Sequence, residues 1–216
     1  MNQRKRRARG RFITLEGVEG MGKSTHLNFI SAYLKARGLR VQVTREPGGT
    51  PAADEIRALL LNNRSEQIPP MAELLLMFAA RALHVENVIQ PALASGTWIV
   101  CDRFTDATYA YQGGGRKIPA RSVAALERMV LKGLQPDLTI LLDADVEVGL
   151  QRAKQRGTLD RFEREQAAFF RRVRRVYLAR AHNHPRRIKL VKAGGSIADI
   201  QARIAGLLEP RLTSWL

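Results

Sequence analysis

The segment Gly17-Val18-Glu19-Gly20-Met21-Gly22-Lys23-Ser24 constrains the fold of this chain more than any other stretch. Glycines in a Gly-x-x-x-x-Gly-Lys-Ser pattern permit the backbone angles that turn consecutive N–H groups inward around phosphate oxygens. The device works between a buried strand and a helix whose N-terminal dipole faces the same anion. Both flanks are present. Phe12-Ile13-Thr14-Leu15 is an apolar run ending at the glycines, and Leu27, Ile30 and Leu34 recur at helical spacing between Thr25 and Arg37, where Gly38 stops them. Lys23 is placed to give a point charge to the outer phosphates of a nucleoside triphosphate, and the Ser24 hydroxyl to ligate magnesium.

The variable loop positions, Val18, Glu19, Gly20 and Met21, contain no arginine or lysine. Phosphoryl transfer needs positive charge over the equatorial oxygens, so the missing cation has to come from elsewhere in the chain. Glu19 would repel phosphates, which turns it towards a magnesium-bound water or an acceptor hydroxyl. Two further buried-strand runs, Trp98-Ile99-Val100-Cys101 and Leu138-Thr139-Ile140-Leu141-Leu142, each end in aspartate. Asp102 and Asp143 both qualify as the second magnesium anchor, and Asp102 is preferred because Arg103 follows it. Arg152 to Arg161 is a glycine-interrupted basic segment between two helices, the composition of a lid that closes over a triphosphate.

Further strands are expected at Leu39 to Val43 and Arg187 to Val191, with helices at Pro51 to Leu61, at Met71 to Ala94 (bent near Pro91) and at Ile197 to Leu208. Strands alternating with helices imply an α/β chain with a parallel sheet covered on both faces. Residues 1–10 read as a basic disordered arm, and 11–216 as one domain with its lid at about 152–161.

The formal charge is +16. Such a field concentrates polyanions, and its densest parts are the arm (Arg4, Lys5, Arg6, Arg7, Arg9, Arg11) and the helix carrying Arg171, Arg172, Arg174, Arg175 and Arg180. A solvated tail and helix face are preferred over RNA or DNA binding. No apolar run is long enough to span a bilayer, and no signal-peptide stretch follows the arm. The single cysteine, Cys101, excludes an intramolecular disulfide and suits a reducing compartment, so a cytoplasmic protein is expected.

Tyr109, Tyr111, Gln112 and Gly113-Gly114-Gly115 follow Asp102-Arg103, and Phe78 with Arg81 lies one helical turn apart; both groups suit a nucleobase and sugar pocket. Taken with Thr44-Arg45-Glu46-Pro47-Gly48-Gly49-Thr50 and Arg156-Gly157-Thr158-Leu159-Asp160-Arg161, these segments resemble bacterial thymidylate kinases, in order, over about residues 11 to 192. The glycine loop is shared by many enzymes, whereas Arg-Glu-Pro-Gly-Gly and Tyr-Gln-Gly-Gly-Gly are far more restricted. The resemblance implies a single-domain P-loop kinase fold with a five-stranded parallel sheet flanked by helices and a mobile lid. It also implies a homodimer that converts ATP and dTMP to ADP and dTDP for dTTP synthesis, with Mg2+ as cofactor.

Carried over by position, the loop from Gly17 through Gly22, Lys23, Ser24 and Thr25 binds ATP, and Glu19, Ser24 and Asp102 serve the metal. Arg57 and Arg103 would hold the acceptor phosphate, and Glu19 would approach the 3′-hydroxyl. Phe78 would stack on thymine unless Met77, one position earlier, takes that place. Arg81 and Gln112 would read the base's polar edge. Thr108 would replace a serine absent at Ala107, and Tyr111 would pack under the deoxyribose. Lys23, Arg103 and Arg156 would be the catalytic cations, and a cis bond would precede Pro47. A rival reading, an ATPase coupled to nucleic acid through the basic arm, leaves the Tyr-Gln-Gly-Gly-Gly segment without a use.

Overall fold

β1 (Phe12–Glu16) is buried at every position and lies in the middle of a five-stranded sheet. The computed structural model describes residues 9–63, 65–154 and 160–216. Most of the basic arm, and Arg156 with its neighbours in the lid, therefore lie outside the described residues. After β1 come α1 (Lys23–Lys35), β2 (Val41–Arg45), α2 (Pro51–Leu61) and α3 (Pro70–His84). A π-helical turn at Val85–Ile89 leads to α4 (Gln90–Ala94) and β3 (Trp98–Asp102). The short α5 (Thr105–Thr108) runs into a second π-helical stretch, Tyr109–Gly115, followed by α6 (Ala120–Leu131), β4 (Leu138–Asp143) and α7 (Val146–Lys154). The chain finishes with α8 (Ala167–Asn183), β5 (Ile188–Lys192) and α9 (Ile197–Trp215).

All four strand pairings are parallel, in the order β2-β3-β1-β4-β5. The five strands are those expected from the apolar runs. Central β1 and β4 and most of β3 are buried, whereas edge strand β2 is largely accessible, as sheet position dictates. β1 pairs with β3 on one side and β4 on the other; the chain leaves it towards β2 and later crosses from β3 to β4, so a crevice opens beyond its C-terminal end. Register places Asp102 beside Leu15 there, one residue before the strand gives way to the glycine loop.

Three local departures from the expected elements have physical causes. The bend expected near Pro91 is spread over Val85–Ile89 as a π-helical turn, where the Gln90 N–H bonds the Val85 carbonyl. The wider turn accommodates a proline, which lacks a donor and crowds the preceding turn. α9 does not stop before Pro210; it continues to Trp215. Buried Leu212 and the edge-on packing of Trp215 against Trp98, with ring centroids 5.6 Å apart, hold the last turn in place. Tertiary packing here outweighs a proline penalty of about 3 kcal/mol.

The triple glycine is part of the second π-helical stretch and is packed tightly on α8. A Cβ on Gly115 would fall 2.4 Å from the Phe169 ring, and one on Gly114 would fall 2.7 Å from Val176. Glycine is there for close approach. α6 was not anticipated, although Val123, Leu126 and Val130 carry a helical spacing that could have revealed it; their partners are Leu74 and Phe78 of α3.

Candidate active site

A cleft of about 540 Å³ opens over the C-terminal ends of β1, β2 and β3. That is ample for a nucleotide. One wall is the glycine loop. Gly20 has φ 73°, and a Cβ there would collide with the Gly149 carbonyl of α7 at 1.9 Å. The loop can lie this close to α7 only because position 20 has no side chain. Glu19 to Thr25 line the cleft, whereas Gly17 and Val18 do not. The Val18 side chain is buried in the main core.

Lys23 is buried, and its Nζ donates to the carbonyls of Gly17 (3.3 Å) and Val18 (3.1 Å). Burial, and secondarily the charge of Arg103, lower its pKa. Both effects favour pairing this ammonium with an anion.

Arg103 follows β3 in the left-handed region, at φ 67°. This is an uncommon conformation for a residue with a side chain. Its surroundings determine it fully. The Arg103 N–H donates to the Leu15 carbonyl (3.0 Å), and the next N–H, of Phe104, donates to the Glu16 carboxylate (2.7 Å). Nη1 reaches the Gly17 carbonyl (3.0 Å) and the Tyr177 hydroxyl (3.2 Å), and Nη2 reaches Glu19 Oε1 (2.7 Å). Burial works against the guanidinium charge, but Glu19 and the neighbouring hydroxyls hold its pKa well above the ordinary value. Tyr111 donates to the same Glu19 oxygen at 3.0 Å, with the Arg103 guanidinium 4.7 Å from its ring centre. Glu19 thus faces Arg103 and Tyr111.

Of the two strand-end aspartates, Asp102 lines the cleft, and its Oδ1 is buried with no hydrogen-bond partner among the described residues. An orphaned carboxylate oxygen of this kind suits a magnesium-bound water or the ion itself. Asp143 is bound by Arg174 (2.7 and 3.0 Å) and does not line the cleft.

Arg57, on α2, also lines the cleft, with Nη1 on the Pro47 carbonyl at 2.8 Å after a cis Glu46–Pro47 bond. Burial lowers its pKa, followed by the charge of Arg45, with Arg103 contributing further. Cations drawn together at mutual cost are the electrostatic signature of an anion site. Arg45 lines the same wall. It was not expected as a site residue, although it stands within the Arg-Glu-Pro-Gly-Gly segment.

The inner wall holds Arg81 and Gln112. Arg81 is buried, with Nε on Glu46 (2.7 Å) and Nη2 on Thr108 Oγ1 (3.0 Å); Nη1 is buried with no partner among the described residues. Gln112 donates from Nε2 to Glu73 at 2.8 Å. Phe78, expected to face the base, is turned away. It is 2% exposed and packs with Leu74, Ile118 and Val123, and Met77 lines the cleft in its place. Helix periodicity is the cause, since Met77 and Arg81 share one face of α3 while Leu74 and Phe78 share the one turned to α6. The Thr108 hydroxyl is committed to Arg81, so it supports that arginine. At the edges of the lid, Arg152 and Asp160 line the cleft. Arg161 is anchored, with Nε on the Leu60 carbonyl (2.8 Å) and Nη2 on Glu73 (2.6 Å).

A family model described as thymidylate kinase matches residues 15–204. The chain belongs to the thymidylate kinase family. It is 57% identical to a thymidylate kinase of Chromohalobacter salexigens, over 95% of this chain and 98% of that one. A Teredinibacter turnerae thymidylate kinase is 54% identical, over 93% and 98% of the two chains. A crystal structure of thymidylate kinase from Ehrlichia chaffeensis matches with a TM-score of 0.75 at 29% identity, covering 93% of this chain and 98% of that one. The glycine-loop kinase fold read from the sequence is therefore that of the thymidylate kinase family.

Glu16, the last residue of β1, was not foreseen in the site. The signal was an acid inside the apolar run that precedes Gly17. It is fully buried and accepts from the Phe104 N–H and the Tyr177 hydroxyl, each at 2.7 Å. Burial, then repulsion from Asp106, raises its pKa from 4.5 to about 7. On unfolding, the group releases its proton more readily. Its contribution to stability is complete below pH 4.5 and is lost as pH rises through 7. The Glu16→Gln variant does not titrate. Between pH 5 and pH 8 it is expected to gain about 1–3 kcal/mol relative to wild type, read by chemical denaturation. An unchanged difference would show that Glu16 titrates normally.

Proposed function

We propose that this chain transfers the γ-phosphoryl group of ATP to dTMP, giving ADP and dTDP. The observation that carries the acceptor is the pair on the inner wall: an Arg81 N–H with no partner among the described residues, beside a Gln112 amide whose nitrogen is committed to Glu73. This leaves a donor and an acceptor for the base. Thymine presents the complement, an O4 acceptor next to an N3–H donor, whereas cytosine presents an amino donor next to a bare N3. Met77 lies against the base, and Tyr111 lies under the deoxyribose where a 2′-hydroxyl would clash. Glu19, held by Arg103 and Tyr111, approaches the 3′-hydroxyl.

Arg57 and Arg103 hold the acceptor phosphate, with Arg45 adding positive charge. That phosphate is itself the nucleophile. Its second pKa is about 6, so it is ionised near neutral pH and no general base is required. One of its oxygens bonds to the γ-phosphorus as the bond to the β,γ-bridging oxygen breaks, and the electron pair leaves with ADP. The chain contributes positioning, charge and exclusion of water. The loop N–H groups and Lys23 cradle the donor phosphates, and Arg156 supplies the cation that the loop lacks. Asp102 and Ser24 would hold Mg2+, with Glu19 close by, and the ion would neutralise phosphate charge.

We also infer a homodimer. Met71 and Leu75 of α3 and Met129 of α6 leave apolar surface exposed on two helices that pack together. Light scattering should give twice the chain's 24.2 kDa, and a monomer at micromolar concentration would refute this. No described helix is long and apolar enough to cross a membrane; a reducing, cytoplasmic setting suits the buried Cys101 thiol.

Purified protein supplied with ATP, magnesium and a panel of monophosphates should prefer dTMP. Comparable turnover of UMP, CMP or AMP would sink the thymine assignment. Arg156→Ala is expected to lower kcat by about 10²–10³-fold or more while changing dTMP binding little, because its charge acts in the transition state. A change confined to the KM for dTMP would remove Arg156 from the catalytic set.

A further inference from the structure

We propose that Glu73 of α3 is a specificity-determining positioning residue: it sets which atom of the Gln112 amide faces the base. The inference rests on the dTMP reading above and assigns part of its selectivity to a residue that does not line the cleft.

Glu73 is 0% exposed, and three donors converge on it. Gln112 Nε2 reaches Oε1 at 2.8 Å, Arg116 Nε lies 3.2 Å from each oxygen, and Arg161 Nη2 lies 2.6 Å from Oε2. The arginines are themselves held. Arg116 reaches Glu165 and lies over the rings of Phe162 and Phe169, while Arg161 is bound to the Leu60 carbonyl. Glu73 therefore sits at a fixed point joining α3, the second π-helical stretch and the C-terminal end of the lid.

A glutamine amide can be turned over, exchanging its N–H₂ for its carbonyl oxygen with little change in shape. A carboxylate cannot reciprocate, because it only accepts. Facing Glu73, the amide has one satisfactory orientation, with Nε2 inward and Oε1 towards the cleft. The opposite orientation would set two oxygens against each other in a buried site. The selector is thus the charge of Glu73. An acceptor presented to the base rewards N3–H and rejects the bare N3 of cytosine. Arg81, fixed through Glu46 and Thr108, supplies the complementary donor. A neutral amide at position 73 would let Gln112 adopt either orientation.

The test measures kcat/KM for dTMP and dCMP in wild type, Glu73→Gln, Gln112→Ala and the double variant. Glu73→Gln is expected to reduce the dTMP:dCMP ratio by about tenfold or more, through KM, with saturated turnover on dTMP largely retained. In the Gln112→Ala background, Glu73→Gln should produce no further fall. A folded Glu73→Gln protein with the wild-type ratio overturns the proposal, and so does an equal fall in both backgrounds, which would mark a merely structural role. If Glu73→Gln does not fold, Glu73→Asp keeps a charged, acceptor-only group before Gln112, so the wild-type ratio is expected; a fall of about tenfold overturns charge as the selector. One measurement needs no variant. N3-methyl-dTMP lacks the donor and should be a poor substrate of wild type, so turnover equal to dTMP overturns the orientation assigned to Gln112. A wild type that does not prefer dTMP defeats the acceptor assignment itself, whereas a selective wild type with unaltered variants defeats only the role of Glu73.

Discussion

Arg103 is the joint on which the site depends. Its two terminal nitrogens tie the end of β3 to the Gly17 carbonyl and to Glu19 of the loop, so adjacent strands present their chemistry in fixed relation. The left-handed backbone that makes this reach possible is unfavourable for arginine by about 1 kcal/mol or more. It persists because Glu16 and the Leu15 carbonyl hold the two N–H groups that flank the turn. The strained turn lies at the edge of the crevice that the sheet order creates, where it can meet an anion.

Around that joint the chain keeps its working charges buried and oriented. Lys23, Arg81 and Glu73 are each held by named partners. Burial makes such interactions strong and any mismatch costly. Among the described residues, Arg81 Nη1 and Asp102 Oδ1 are buried without a hydrogen-bond partner. Both line the cleft, where unpartnered groups suit completion by a substrate or a metal.

The second π-helical stretch belongs to the same design. Tyr109–Gly115 brings Tyr111 and Gln112, adjacent in sequence, to one cleft, which the angular step of an ordinary helix makes harder. Close packing of Gly114 and Gly115 on α8 fixes this wide turn in place. The glycines serve the site through rigidity, contrary to the flexibility their composition suggests.

The five strands, the glycine loop and the family were legible in the sequence by itself, because strand burial, helix spacing and loop backbone geometry are local properties. Only the tertiary structure decided which side chains face the cleft. Met77 and Phe78 differ by one position, and it is packing against α6 that sends Phe78 inward. Asp102 and Asp143 both end buried strands, with Asp102 preferred for the arginine that follows it, and Arg174 occupies the second. Glu16 and Glu73 meet partners 88 and 39 residues away, respectively. Long-range electrostatics of that kind leaves no periodicity for a sequence to display.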